Sequence, residues 1–146
     1  MRLVVVDLIP ALLSWEGRDV SEEPMLAPGA EEALEHLFSH YRLAAIADAG
    51  WSGVELRAVL EDEGLDGLFE SVGTSADFGP AVSPRVVRRL ASTVGVPADL
   101  LVFVTGRDEV ADAVAASGIA VVHTTQDGFE HVPEAVAELI GDRLSP

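Results

Sequence analysis

Leu3-Val4-Val5-Val6-Asp7 opens the chain with four apolar residues, three of them β-branched, and ends on a carboxylate. An apolar run of this length without polar alternation reads as a strand covered on both faces. Working outward, Leu43-Ala44-Ala45-Ile46 and Leu100-Leu101-Val102-Phe103-Val104 repeat the pattern, as do Ile119 to Val122 and, more weakly, Phe69 to Gly73. Segments of helical period separate these runs. Strand–helix alternation implies a parallel sheet with helices on both faces and right-handed crossovers. The expected architecture is α/β: a three-layer, Rossmann-like sandwich on a mainly parallel five-stranded sheet, with residues 1–146 as a single domain.

The helices carry their own start and stop signals. Gly29 opens one through about Tyr41, with Leu34, Leu37, Phe38 and Tyr41 expected on one apolar stripe. Ser52 and Glu55 have capping-box spacing, and Gly64 ends the helix they open. Ser83 followed by Pro84 predicts an N-cap and first helical position, with Val86, Val87, Leu90 and Val94 facing inward. Asp108 can cap the next helix, which closes at Gly118. The last starts at Pro133 and turns Val136, Leu139 and Ile140 inward.

Composition excludes several functions. With 49% hydrophobic residues the chain can enclose a core. No cysteine is present, which removes disulfides, thiolate metal sites and thiol nucleophiles and fits a cytoplasmic setting. A formal charge of −16 argues against nucleic acid and anionic membranes as partners. All nine basic residues are arginine and none is lysine; this Ala-, Val- and Arg-rich usage points to GC-rich bacterial coding. Arg85, Arg88 and Arg89 form the tightest basic group and read as a solvated helix face. The opening MRLVVVDLIPALLSW has a signal-peptide look, but Asp7 and Pro10 interrupt it and no small-residue cleavage site follows. No apolar run approaches the ~18 residues that a membrane span needs.

In open parallel sheets ligands bind beyond the carboxyl ends of the strands. The positions to question are therefore Asp7, Ala47-Asp48, Thr74-Ser75 and Thr105 to Asp108. Those positions, with Leu68-Phe69-Glu70-Ser71-Val72-Gly73-Thr74-Ser75, Gly95-Val96-Pro97-Ala98-Asp99 and Ala115-Ala116-Ser117-Gly118-Ile119, resemble the haloacid dehalogenase-like (HAD) hydrolase superfamily. The likeness runs over nearly the whole chain. It implies an aspartate nucleophile at Asp7 that forms an aspartyl-phosphate. The same resemblance implies a second aspartate as general acid/base where Ile9 stands, and a threonine where Ala11 stands. It also implies a phosphate-holding hydroxyl where Ala47 stands, a charge-neutralising lysine counted to Ala81, and Mg²⁺-binding acids counted to Gly106 and Val110. The intervals from Asp7 to Asp48 and from Asp48 to Ala81 are too short for a cap domain, so the pocket mouth is expected to be open.

Stripped of those groups, the resemblance implies a degenerate, non-catalytic module with a binding or regulatory role. The alternative is a Mg²⁺-dependent phosphatase that uses Asp7 as nucleophile with relocated support from Arg107 and Asp108. A phosphoacceptor receiver domain would need an acidic pair after the first strand and a late lysine, and the chain has neither. Asp48, Arg107, Trp15 and Trp51 are the candidate ligand-binding residues around the mouth, and the tryptophans also suit packing of the flap. Asp7, Asp48 and Asp108 would favour a divalent cation if they converge, so Mg²⁺ is the one candidate cofactor. Each also has a plainer reading: Asp7 as acceptor for turn N–H groups, Asp48 as an Asx turn, Asp108 as a helix cap. His36 and His40 read as surface residues and His123 as a strand-end residue at the site's edge. The expected partner is a second copy of the chain, or another protein, on the open pocket face.

Overall fold

The computed structural model describes residues 2–8, 13–14, 25–27, 29–47, 53–74, 82–124 and 129–144. Five strands form the main sheet: β1 (Leu3–Asp7), β4 (Arg42–Ala47), β5 (Ser71–Thr74), β6 (Leu101–Thr105) and β7 (Ala120–His123). Their spatial order is β5-β4-β1-β6-β7, and every neighbouring pair is parallel. A feature that hydrophobic pattern did not signal is a two-stranded antiparallel ladder, β2 (Leu13–Ser14) with β3 (Met25–Leu26). Strands of two residues are too short to show a period.

Alternation along each strand sorts the core into two layers. Val4 and Val6, Ala45 and Ala47, and Val102 and Val104 face helices α1 (Ala30–His40), α2 (Gly53–Asp62) and α5 (Val132–Leu144). Leu3 and Val5, Ala44 and Ile46, and Leu101 and Phe103 face α3 (Pro84–Thr93) and α4 (Asp108–Ala116). Helices on both faces of an all-parallel sheet make the expected three-layer α/β sandwich. Phe103 is wholly buried in the middle of it; truncating such a side chain to alanine costs about 3–5 kcal/mol.

Several local signals hold in detail. Ser83 accepts a 3.3 Å hydrogen bond from the Val86 N–H, with Pro84 opening α3. Gly29 has φ of +71°, and a Cβ there would stand 2.6 Å from Glu130 Cβ, so both backbone conformation and space require glycine. Two expectations need correction. Phe38 is 50% exposed, because Ala30, Ala33, Leu34 and Leu37 complete the buried stripe of α1 and Phe38 lies a step around the helix. Asp108 does not cap α4: Arg107 is the N-cap residue, no side chain caps the helix, and Asp108 is its first residue. There its carboxylate complements the positive end of the helix dipole. Ser52, the expected cap of α2, lies outside the described residues.

Candidate functional site

The parallel register brings particular strand ends together at the carboxyl edge. Val6 pairs with Val104, so Asp7 and Thr105 lie side by side, and Thr105 pairs with His123. Asp7, Thr105 and His123 thus form a row across β1, β6 and β7. By alternation they share the face that carries α3 and α4. Adjacent strands are ~4.8 Å apart, which puts the Cα atoms of Asp7 and His123 about 10 Å apart.

Asp7 is completely buried, and its ionised form needs compensation there. The compensation comes from the start of α4. Arg107 Nε donates to Asp7 Oδ2 at 3.0 Å, and the Thr105 hydroxyl donates to the same oxygen at 2.8 Å. The Thr105 oxygen in turn accepts the Arg107 backbone N–H at 3.2 Å. A hydroxyl has one hydrogen, so accepting from the backbone and donating to the carboxylate orients it fully. The Thr124 N–H donates to the Thr105 carbonyl at 2.8 Å, which ties the strand end from its other side. The Arg107 side chain is 21% exposed, so the ion pair reaches from the interior towards the surface.

Asp108 takes another partner. Its Oδ1 lies 2.8 Å from His123 Nε2, with the aspartate side chain 89% and the histidine 41% exposed. The edge therefore carries two acid–base pairs side by side, one buried and one open to solvent. Thr105 and His123 are the contributions that sequence reading undervalued. The available signal was position: both close strands at the edge where ligands bind.

The positions counted as missing motif elements can also be placed. Ala47 packs in the apolar layer with Val6 and Val104, opposite the face used by Asp7. Val110 is buried in the other apolar layer, against α3 and the sheet. Neither side chain carries a polar atom. Ile9, Ala11, Trp15, Asp48, Trp51, Ser75 and Ala81 lie outside the described residues.

The described residues do not fit Mg²⁺ well. An octahedral ion wants several oxygens, whereas Asp7 Oδ2 already faces a guanidinium and the carboxylate of Asp108 is turned to His123. Among the described residues no group of three or more metal-ligating side chains comes together. His36 and His40 lie on the exposed face of α1, their ring centres 4.8 Å apart, and His40 Nδ1 lies 3.0 Å from the His36 carbonyl. Arg85, Arg88 and Arg89 line an open groove of about 580 Å³ on the solvent face of α3. One of them, Arg88, donates to the Ser117 carbonyl at 2.6 Å. Among the described residues no helix is long and apolar enough to cross a membrane.

No protein-family model and no curated protein matches the sequence. Solved structures do match. A HAD-superfamily hydrolase from Ehrlichia chaffeensis superposes with a TM-score of 0.69 at 20% identity, over 82% of this chain and 61% of that one. A subfamily IA hydrolase of the same superfamily from Geobacter sulfurreducens gives 0.72 at 15% identity, over 94% and 99%. The core domain of a candidate phosphoglycolate phosphatase from Streptococcus pneumoniae gives 0.60 at 19% identity, over 88% and 83%. The chain spans only 61% and 59% of the first two hydrolases compared, from Ehrlichia chaffeensis and Xanthomonas campestris. At these identities the likeness speaks for architecture, and with the strand order and the strand-end aspartate it establishes that this chain has the haloacid dehalogenase-like fold.

Proposed function

We propose that the chain is a hydrolase of phosphate monoesters in which Asp7 is the nucleophile. The observation that carries this reading is the paired hold on Asp7 Oδ2 by Thr105 and Arg107 at the carboxyl end of the central strand. A carboxylate oriented by a hydroxyl and a guanidinium is a positioned nucleophile. The HAD hydrolases that share the fold support the same reading.

The chemistry follows from the row of residues. An Asp7 oxygen forms a bond to phosphorus as the ester P–O bond breaks. The leaving alkoxide takes a proton, and this reading assigns its donation to His123, which contacts Asp108 and pairs in register with Thr105. Water then adds to the aspartyl-phosphate, gives its proton back to His123, and releases phosphate with the carboxylate restored. His123 thereby stands in for the acid/base that Ile9 lacks. Arg107 balances one charge of the incoming phosphate, the task left open where a lysine would stand at Ala81.

Turnover of an aryl phosphate tests the reading. Asp7→Asn keeps the shape of the side chain and removes the nucleophile, so the wild-type rate is expected to vanish in it. Equal rates in the two proteins would sink the hydrolase. A second reading then takes its place, a non-catalytic binding module whose contact residues are those read from the sequence, Trp15, Trp51 and Asp48. The observation favouring it is that Ala47 and Val110 are apolar core residues where phosphate and metal contacts would be needed.

A further inference from the structure

The geometry points to Arg107 as the resident cation of the Asp7 site, in the place of a divalent metal ion. The inference rests on the hydrolase reading only for its turnover arm; the exclusion of a metal from Asp7 stands on the ion pair alone.

Three observations converge on it. First, the guanidinium is no surface group that has swung inward. Arg107 is the N-cap residue of α4, and its own N–H is held by Thr105, so backbone and side chain are tied to the same cluster. Second, the contact is made to a wholly buried carboxylate oxygen, Asp7 Oδ2, which also receives the Thr105 proton. A divalent ion on that oxygen would sit about 2.1 Å from it and within contact range of the guanidinium, where two cations repel strongly in a partly dry site. Third, the other described carboxylate at this edge, Asp108, is engaged by His123 and mostly in solvent. The charge that a metal would supply is already built into the chain, as a side chain that is always protonated.

The consequence is a site that binds phosphate monoesters and turns them over without added metal. One positive charge replaces two, so transition-state stabilisation is weaker and turnover slow. Specificity shifts as well. A planar guanidinium favours a phosphate oxygen presented in its plane, and its five donors cannot be mimicked by the three of an ammonium. Arg107→Lys is therefore expected to recover part of the function and Arg107→Met none.

The test has two arms on the full chain. In the first, Mn²⁺ is titrated into wild type and into Asp7→Asn and followed by its electron paramagnetic resonance signal. The acidic surface will bind some ions in both proteins, and the expected result is the same number in each. An extra Mn²⁺ that Asp7→Asn removes overturns the inference, whatever the protein does to substrates. In the second arm, aryl phosphate turnover is measured with a chelator and with Mg²⁺. Rates equal within about twofold support Arg107 as the cation, and loss of turnover in chelator overturns it. Arg107→Met is expected to lower the rate about 10²–10³-fold, with Arg107→Lys between it and wild type. Should no variant and no condition give turnover, the hydrolase reading fails, and the Mn²⁺ arm still decides whether Asp7 takes a metal.

Discussion

Two arginine–carboxylate pairs sit at opposite ends of the same sheet. Arg42 begins β4 and grips Glu70 through both carboxylate oxygens, with Nε at 3.1 and 2.9 Å, and its Nη2 donates to the Val94 carbonyl at 2.8 Å. Arg107 reaches Asp7 through its Nε, at 3.0 Å. The amino-edge pair is the one held as a fork through both carboxylate oxygens, in isolation the stronger arrangement. Solvent reverses that order. Arg42 and Glu70 are each about a third exposed, so water competes for both groups and salt screens them, while Asp7 has no water to fall back on. The lesson is that what a pair leaves behind when broken matters more than how many bonds it forms. The carboxyl-edge pair also stands where ligands enter an open α/β sheet, and the amino-edge pair does not.

The contrast can be broken at its strongest point first. Asp7→Asn is expected to lower aryl phosphate turnover by a factor on the order of 10⁴ or more, as loss of a nucleophile does elsewhere. Its fold should survive, because Asn keeps an oxygen for Thr105 and Arg107. Next comes Arg107→Met, which takes the guanidinium from a buried carboxylate. Urea denaturation should show a loss of about 3–5 kcal/mol, and a loss below ~1 kcal/mol would mean that Asp7 is compensated by other groups.

His123→Gln separates the buried pair from the exposed one beside it. Turnover should fall about 10²-fold, and stability should move by no more than ~0.5 kcal/mol. A stability loss as large as that of Arg107→Met would make the Asp108–His123 pair structural. Arg42→Ala is the mildest of the series: a small loss of stability that shrinks further in about 1 M salt. Donating hydrogen bonds to the Glu70 carboxylate raises the Arg42 guanidinium above the already strongly alkaline range of a free arginine. Because the folded value is raised, the pair's contribution is complete below that range and is lost only as pH rises through it. Its effect should therefore be flat from mildly acidic to mildly alkaline pH. If Arg42→Ala cost more than Arg107→Met, the ordering by solvent would be wrong.

Much of this molecule was readable before any coordinates. The five strands lie within one or two residues of their apolar runs, because strands buried on both faces must be continuously apolar. Ser83 and Pro84 announced the start of α3 through local chemistry alone. Where reading failed, the cause was competition between neighbours. Phe38 looked like part of an apolar stripe that four smaller side chains already filled. Asp108 had the chemistry of a cap, yet its backbone lies inside the helix and its carboxylate found a partner on β7.

The sequence by itself determined the layers, the carboxyl edge of the sheet and the aspartate that closes β1. It also determined which residue types are missing there, since hydrophobic period and residue identity are local properties of the chain. Only the tertiary structure decided what stands beside that aspartate. Arg107 is a hundred positions away, and nothing within a helix or strand couples the two. The parallel register of β1 against β6 sets Thr105 next to Asp7, and the turn into α4 then lays the guanidinium on a carboxylate that burial would otherwise forbid.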